Sequence, residues 1–165
     1  MKNYIEVFKI DKEWEKFKKI LLSWIGTPYR HMTGVKGRGA DCNLFIGNCL
    51  IEAGYMKALN YDYYPKDWWI HSKRELILDY IEKHRKLLFP EYDLKRIYDL
   101  DNLQRGDYLG FSYGSKFGIV NHSGIYLGNN HFIHAHSKKG VCIEEMTNSW
   151  KNRLKIIFRL FKKVK

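Results

Sequence analysis

The sequence predicts an α+β domain in which N-terminal helices pack on an antiparallel β-sheet. The N-terminal half has apolar residues at helical spacing, and the C-terminal half has short apolar runs of strand type separated by turn residues. The chain has 165 residues, of which 45% are hydrophobic and 16% aromatic. It can therefore bury a sizeable core as one domain over residues 1–165, and a disordered chain is excluded.

Two helices are expected before residue 55. The first begins with Asp11 as its N-cap and ends at Gly26 and Pro28, and its apolar face consists of Trp14, Phe17, Ile20, Leu21 and Trp24. The second begins after Asp41 and ends at Gly54, and its apolar stripe consists of Cys42, Phe45, Ile46, Cys49, Leu50 and Ala53.

A third helix is expected over residues 73–87, because Ser72 and Glu75 form a capping-box pattern. Residues 27–40 and 55–71 read as irregular segments. The aromatic run 61–69 is interpreted first as a loop packed on the core, and second as a platform for a sugar or a peptide.

The second half of the chain predicts strands over residues 108–112, 119–127, 131–137, 141–145 and 154–161. The triplet Gly128-Asn129-Asn130 indicates a hairpin turn, and residues 149–153 indicate a short helical turn.

The excess of basic over acidic residues indicates which class of partner the protein could bind. With 29 Lys and Arg against 18 Asp and Glu, the net charge is +11, which indicates either a polyanionic partner or a solvated lysine surface. Lysines outnumber arginines, so no specific nucleic acid is expected.

No apolar run is long enough for a membrane span, and the N-terminus lacks a signal peptide, so the chain is expected to be cytoplasmic when made.

The three cysteines are too few for a disulfide framework. Cys42 is expected at a helix N-terminus, where the partial positive charge favours the thiolate, so Cys42 is the candidate nucleophile. Cys49 and Cys142 are interpreted as packed thiols.

The candidate bases lie on neighbouring predicted strands. A two-residue turn would pair Ile125 with His134 and place His122 and His134 on opposite faces of the sheet. A longer loop or a bulge would pair Gly124 with His134 and make the two histidines diagonal neighbours. A Cys–His–His site requires the second register.

In such a site, Cys42 attacks a carbonyl, His122 takes and returns the proton, and His134 orients His122. His136 shares a face with His134 and is the alternative orienting residue. A zinc site built from Cys42, Cys142, His122, His134 and His136 lacks any ligand-spacing motif, so no metal or cofactor is expected.

Five segments in this order resemble the NlpC/P60 cysteine peptidases. They are Gly26-Thr27-Pro28-Tyr29-Arg30, Asp41-Cys42, Leu103-Gln104-Arg105-Gly106-Asp107, His122-Ser123-Gly124-Ile125-Tyr126-Leu127-Gly128 and Phe132-Ile133-His134-Ala135. The resemblance implies a papain-like fold and hydrolysis of amide bonds in peptidoglycan stem peptides. It implies catalytic roles for Cys42, His122 and His134.

The resemblance also implies substrate-binding residues. Tyr29 matches a tyrosine that helps to bind the oxyanion or the substrate, and Asp41 matches an acidic residue that meets a substrate amine. Asn43 stands where the family usually has serine, which changes the substrate pocket.

The closest similarity is to the cell-wall peptidases of phage tails and gene transfer agents, whose middle segment resembles Asp62-Tyr63-Tyr64-Pro65-Lys66-Asp67-Trp68. This implies phage tail proteins as partners and a virion or tail-like particle as location. The alternatives are a wall-binding module of the same fold without catalysis, an amidase or acyltransferase on another substrate, and a basic nucleic-acid-binding protein.

Overall fold

The structure is a computed structural model that describes residues 3–58 and 60–164. Within these residues the helices are α1 (Asp11–Ser23), α2 (Cys42–Glu52), α3 (Trp68–His71), α4 (Leu76–Leu88) and α5 (Asn148–Arg153). The strands are β1 (Tyr4–Glu6), β2 (Gly34–Val35), β3 (Gly39–Ala40), β4 (Tyr92–Ile97), β5 (Tyr108–Phe111), β6 (His122–Gly128), β7 (His131–His136), β8 (Gly140–Glu145) and β9 (Leu154–Lys163). The predicted α+β class is confirmed.

One antiparallel sheet organises the molecule. Its strands follow the order β1-β9-β5-β6-β7-β8, and β4 pairs with the other edge of β9. Ile157 in β9 therefore pairs with Ile97 of β4 on one side and with Leu109 of β5 on the other. Strands β2 and β3 form a separate small hairpin. The site strands β6 and β7 thus lie inside the sheet, between β5 and β8.

Helix α2 packs on β6 and β7 of this sheet, and α1 packs on α2 within the same apolar core. The predicted core residues Trp14, Phe17, Leu21, Trp24 and Phe45 are buried, together with Ile125, Ile133 and Phe158 of the sheet. Each fully buried large apolar side chain contributes about 1.5–3 kcal/mol of transfer free energy. This packing holds the N-terminus of α2 against β6 and β7. Of the helices in the described part of the chain, none has the length and apolar character needed to cross a bilayer.

Both predicted capping roles at helix starts were wrong. The N-cap of α1 is Ile10, and Asp11 lies inside the helix, where it accepts a hydrogen bond from Nη2 of Arg105 at 2.5 Å. Helix α4 begins at Leu76, and the Glu75 carboxylate accepts a hydrogen bond from the backbone N–H of Val120 at 3.1 Å. In both cases the carboxylate accepts its hydrogen bond from a residue that is distant in the sequence. A pattern of neighbouring residues cannot reveal such a donor.

Strands β1 and β4 and helix α3 were not predicted, and neither were the two-residue strands β2 and β3 within the segment 27–40 that was read as irregular. In β4 only Leu94 is buried, and charged residues interrupt the apolar alternation that identifies a strand. The strand forms because its backbone, from Tyr92 to Ile97, pairs with the outer edge of β9 and satisfies the N–H and C=O groups there. Helix α3 is a single turn of four residues, too short for a periodic pattern.

A one-residue irregularity sets the register between β6 and β7. Ile125 pairs with Ile133 and Tyr126 with Phe132, but Gly128 pairs with His131, so Leu127 is the extra residue of a bulge. The next pair after Ile125 and Ile133 in this register is Gly124 and His134, so these two residues lie opposite each other. Of the two registers predicted from the sequence, the second is therefore observed.

Candidate active site

Cys42 is the first residue of α2 and lines a cleft of about 700 Å³. Asp41 caps the helix, because its Oδ1 accepts a hydrogen bond from the backbone N–H of Leu44 at 2.8 Å. The Cys42 side chain is buried, and it lines the cleft together with His122. The predicted position of Cys42 at a helix N-terminus is confirmed.

The two predicted histidines are in direct contact. Nε2 of His122 lies 2.7 Å from Nδ1 of His134, with the rings at 76° to each other. This contact uses the Nε2 side of His122 and leaves its Nδ1 as the ring nitrogen that can act as a base. His134 is fully buried, so its ring is held by packing as well as by the hydrogen bond.

His136 does not make the orienting contact. Its Nδ1 accepts hydrogen bonds from the backbone N–H groups of Lys138 and Lys139, at 3.1 and 3.2 Å. The ring is therefore bound to the turn between β7 and β8. Of the two alternatives that the sequence left open, the geometry favours His134.

The resting thiol and imidazole are both neutral. Burial, with a smaller contribution from the charge of Asp41, raises the pKa of the Cys42 thiol to about 12. Burial, followed by the charges of His134 and His136, lowers the pKa of His122 to about 3. The thiolate expected at the helix N-terminus is therefore not the resting form. A helix terminus contributes about 0.3–1 kcal/mol, which is less than the cost of removing a thiolate from water.

Asn43 holds the sulfur atom. Its Nδ2 donates to Sγ of Cys42 at 3.6 Å, and its Oδ1 accepts hydrogen bonds from the hydroxyls of Tyr108 at 2.9 Å and Ser123 at 3.0 Å. Two hydroxyl donors on Oδ1 fix the amide with its NH₂ group toward the sulfur. Asn43 also lines the cleft, where the sequence had placed it as a substrate contact.

Tyr108 and Ser123 were missed by the sequence reasoning. Ser123 follows His122 directly and is fully buried, and alternation along β6 places its side chain opposite to that of His122. Both residues are far from Asn43 along the chain, by 65 and 80 residues. The position of Ser123 beside a candidate base was the available signal.

Asp41 joins three segments of chain around the cleft. In addition to capping α2, it accepts hydrogen bonds through Oδ2 from the backbone N–H of Met32, at 3.0 Å, and from the Tyr64 hydroxyl. The residue is only 2% exposed, although it lines the cleft. Contact of Asp41 with a substrate amine stays a prediction, and its carboxylate already accepts three hydrogen bonds.

Tyr29 lines the cleft and lies on the segment that leads to β2. Its backbone forms a bridge to Ala40, and burial raises the pKa of its hydroxyl, with further contributions from Cys42 and Asp41. The phenol therefore stays protonated and can donate a hydrogen bond into the cleft. This fits the oxyanion or substrate contact implied by the resemblance.

The aromatic segment 61–69 forms a wall of the cleft, so the interpretation as a loop packed on the core was wrong. None of its residues is fully buried, and Tyr63 is 76% exposed. Tyr64 ties the segment to the site through Asp41, and its carbonyl oxygen lies 2.8 Å from Nε2 of His31. The aromatic residues of this segment that line the cleft are Tyr61, Tyr63, Tyr64, Trp68 and Trp69.

One group of metal-ligand types is present among the described residues. The ligand atoms of His134, Cys142 and Glu144 all lie within 4.8 Å of one another. It differs from the zinc site considered from the sequence, because Cys42, His122 and His136 are not members and Glu144 is.

Comparison with known proteins agrees with this geometry. A model described as the NlpC/P60 family matches residues 26–159. The chain is 30% identical over 128 residues to "Probable endopeptidase NlpC" of Escherichia coli K12, covering 78% of the chain and 65% of that protein. It is 36% identical over 66 residues to "Murein DD-endopeptidase MepS/Murein LD-carboxypeptidase" of the same strain, covering 39% of the chain and 34% of that protein.

Solved structures share the fold. NlpC2 from Trichomonas vaginalis superposes with a TM-score of 0.60 at 18% identity, covering 93% of the chain and 47% of that protein. The chain spans between about a third and two thirds of the length of the curated relatives it matches.

Proposed function

The chain belongs to the NlpC/P60 family, and from this premise we propose that it is a cysteine peptidase that hydrolyses amide bonds in peptidoglycan stem peptides. The observation that carries the proposal is that a cysteine and a histidine line one cleft, and that this histidine contacts a second, buried histidine. A helix-terminal cysteine shares the cleft with His122, and Nε2 of His122 lies 2.7 Å from Nδ1 of His134. A nucleophile, a base and an orienting group are the parts that acyl transfer requires.

The neutral resting pair determines how the reaction starts. Sγ of Cys42 attacks the carbonyl carbon of the substrate amide while Nδ1 of His122 accepts the thiol proton. The imidazolium that forms then protonates the leaving amine, and a thioester with Cys42 remains. Water, deprotonated by His122, attacks the thioester and releases the carboxylic acid and the thiol.

His134 keeps His122 in the required tautomer. His122 must present an unprotonated Nδ1 to the thiol, so its proton resides on Nε2 and is donated to Nδ1 of His134. When His122 becomes an imidazolium, the same hydrogen bond becomes charge-assisted and strengthens. His134 thus acts as a positioning residue, without direct contact with the substrate.

Two donors are available for the oxyanion of the tetrahedral intermediate. The backbone N–H of Cys42 is in the first turn of α2, where N–H groups have no partner within the helix. The protonated hydroxyl of Tyr29 lines the same cleft. Removal of one oxyanion donor of this kind costs about 2.7–4 kcal/mol of transition-state stabilisation.

The cleft and the charge support a cell-wall peptide as substrate. Lys66 and Arg74 line the cleft together with Asp62 and Asp67, so the carboxylates and the amines of stem peptides can both meet an opposite charge there. The net charge of +11 attracts the protein to the polyanions of the wall. The name of one E. coli relative describes that protein as a murein endopeptidase.

The test is digestion of purified muropeptides followed by mass spectrometry, with Cys42→Ala and Cys49→Ala compared. Cys49 is buried in the same helix and does not line the cleft, so its variant controls for the loss of a thiol. We expect cleavage products with the wild type and with Cys49→Ala, and none with Cys42→Ala. Full cleavage by Cys42→Ala would eliminate the proposed mechanism.

Mass spectrometry also separates the alternatives. An amidase or acyltransferase on another substrate would leave the stem peptides intact while Cys42 still forms an acyl adduct. A wall-binding module without catalysis would sediment with purified sacculi but produce no fragments.

We further propose that the protein acts as a component of a phage tail or tail-like particle. The similarity of residues 62–68 to the tail-associated peptidases supports this proposal. Proteomic analysis of gradient-purified particles from the producing cells tests it. Co-purification with tail proteins is expected, and absence of the protein from intact, infectious particles would contradict it.

A further inference from the structure

We propose that His134, Cys142 and Glu144 form a binding site for a divalent metal ion of the zinc class, and that an ion bound there switches off the base His122. The three ligand atoms lie within 4.8 Å of one another. Imidazole, thiolate and carboxylate are the ligand types that zinc prefers. The proposal that an ion binds depends only on this cluster. The proposal that the ion switches off His122 rests on the proposed peptidase mechanism.

Strand pairing brings the three side chains to one face. His134 lies directly opposite Cys142 in the β7–β8 ladder, and Glu144 follows Cys142 by two residues. Because side chains alternate along a strand, Cys142 and Glu144 project to the side on which His134 lies. Two paired strands form a rigid support for a three-ligand site.

A buried nitrogen without a partner points into this cluster. His134 is fully buried, and its Nε2 forms no hydrogen bond with any of the described residues. Oε2 of Glu144 lies 3.5 Å from this nitrogen, compared with about 2.9 Å for a typical N–H···O hydrogen bond. Two ligands of a tetrahedral zinc ion, each about 2.0 Å from the metal, lie about 3.3 Å apart. The observed separation is therefore closer to that of a metal-bridged pair.

The surroundings hold the carboxylate and leave an entry path. Nε1 of Trp150 donates to Oε2 of Glu144 at 3.0 Å, and Nζ of Lys139 donates to Oε1 at 2.6 Å. Outer hydrogen bonds of this kind orient metal ligands. Lys139 is exposed and can rotate away from an incoming cation. Cys142 and Glu144 are partly exposed, so an ion can reach them from the β8 side.

Metal binding is incompatible with the active tautomer. In the active enzyme Nε2 of His122 donates to Nδ1 of His134, so the proton of His134 resides on its Nε2. A metal ion requires the Nε2 lone pair, so that proton must move to Nδ1, which then donates to Nε2 of His122. His122 in turn carries its proton on Nδ1 and cannot accept one from Cys42. The two rings keep two protons in total, and the Cys142 thiol releases one proton to solvent.

The binding test uses Co²⁺ as a probe in the Cys42→Ala variant, so that the reactive thiol cannot contribute. We expect one ion per chain and a thiolate-to-cobalt charge-transfer band. The band should disappear, and the dissociation constant should rise at least tenfold, when Cys142→Ser is added. Glu144→Gln should weaken binding in the same direction. The matched control Cys49→Ala should keep the band, because Cys49 is buried away from the cluster. A band that persists in Cys142→Ser, or the absence of stoichiometric binding, overturns the site.

The switch is tested separately by Zn²⁺ titration of muropeptide cleavage with Cys42 intact. We expect inhibition that a chelator reverses, and an inhibitory Zn²⁺ concentration at least tenfold higher in Cys142→Ser. Equal inhibition of both proteins would place the ion at Cys42 and overturn the switch. If the protein cleaves no muropeptide at all, the proposed function fails, while the cobalt measurement still decides the binding site.

Discussion

Nε2 of His122 and Nδ1 of His134 lie 2.7 Å apart because a bulge at Leu127 shifts β6 against β7 by one residue. Without the bulge, the two rings would lie on opposite faces of the sheet. The register also places Gly124, which has no side chain, opposite His134. The catalytic proposal therefore depends on backbone geometry that lies outside the cleft.

His134→Ala should lower kcat/KM by roughly 100-fold, equivalent to about 2.7 kcal/mol, because His122 loses the acceptor that selects its tautomer. His134→Asn should retain activity within about tenfold of wild type, because the Asn Oδ1 can occupy the acceptor position of Nδ1. Muropeptide kinetics measure both, and the loss should appear in kcat rather than in KM. Equal losses for the two variants would show that the hydrogen bond is not the function of His134.

Gly124→Ala should reduce both stability and activity. A Cβ at position 124 would lie 2.9 Å from Cδ2 of Phe132 and 3.4 Å from Cβ of His134, which forces β6 and β7 apart. Overpacking of this kind costs about 1–3 kcal/mol. Urea unfolding and kcat of the folded protein are the measurements.

The matched control for Gly124→Ala is Gly54→Ala. Gly54 has φ of +82° and no atom within 4 Å of the added Cβ, so the substitution strains the backbone without reaching the histidines. We expect a stability loss of about 1–3 kcal/mol with kcat preserved. A loss of kcat in Gly54→Ala as large as in Gly124→Ala would attribute the effect to stability alone.

Asn43→Asp should lower kcat/KM by at least about tenfold, or 1.4 kcal/mol. The carboxylate can still accept the hydrogen bonds of Tyr108 and Ser123, so the fold is retained. It cannot donate to the sulfur, and its negative charge opposes formation of the thiolate. Tyr108→Phe removes only one support of Asn43 and should cost less. Unchanged activity in Asn43→Asp would exclude a role for the amide at the sulfur.

Alkylation of Cys42 by iodoacetamide should accelerate continuously up to at least pH 9. Burial and the charge of Asp41 disfavour the thiolate and raise its pKa to about 12, so the thiolate fraction grows throughout this range. The measurement uses Cys142→Ser, which removes the partly exposed thiol of Cys142, and peptide mapping by mass spectrometry. A reaction rate that is already constant below pH 7 would indicate a resting thiolate–imidazolium pair instead.

Local patterns predicted the elements that carry the site. The polar Asp41 before an apolar stripe placed Cys42 at the start of α2, and turn residues with alternating strands placed His122 and His134 on a hairpin. These features depend on neighbours within a few residues, which the sequence displays directly. The two failed capping predictions have the opposite cause, since Arg105 and Val120 come from distant segments.

The sequence by itself determined the elements on which Cys42, His122 and His134 lie, because the N-terminus of α2 and the two histidine strands are defined by local periodicity and turns. Only the tertiary structure decided between the two registers, because alternation along a strand is compatible with either one until β6 and β7 pack against α2. The tertiary structure also places Asn43 within hydrogen-bonding distance of Tyr108 and Ser123, which are far from it in the sequence. Finally, it reversed the expected ionisation of Cys42, because burial is a property of the folded packing and outweighs the field of one helix terminus.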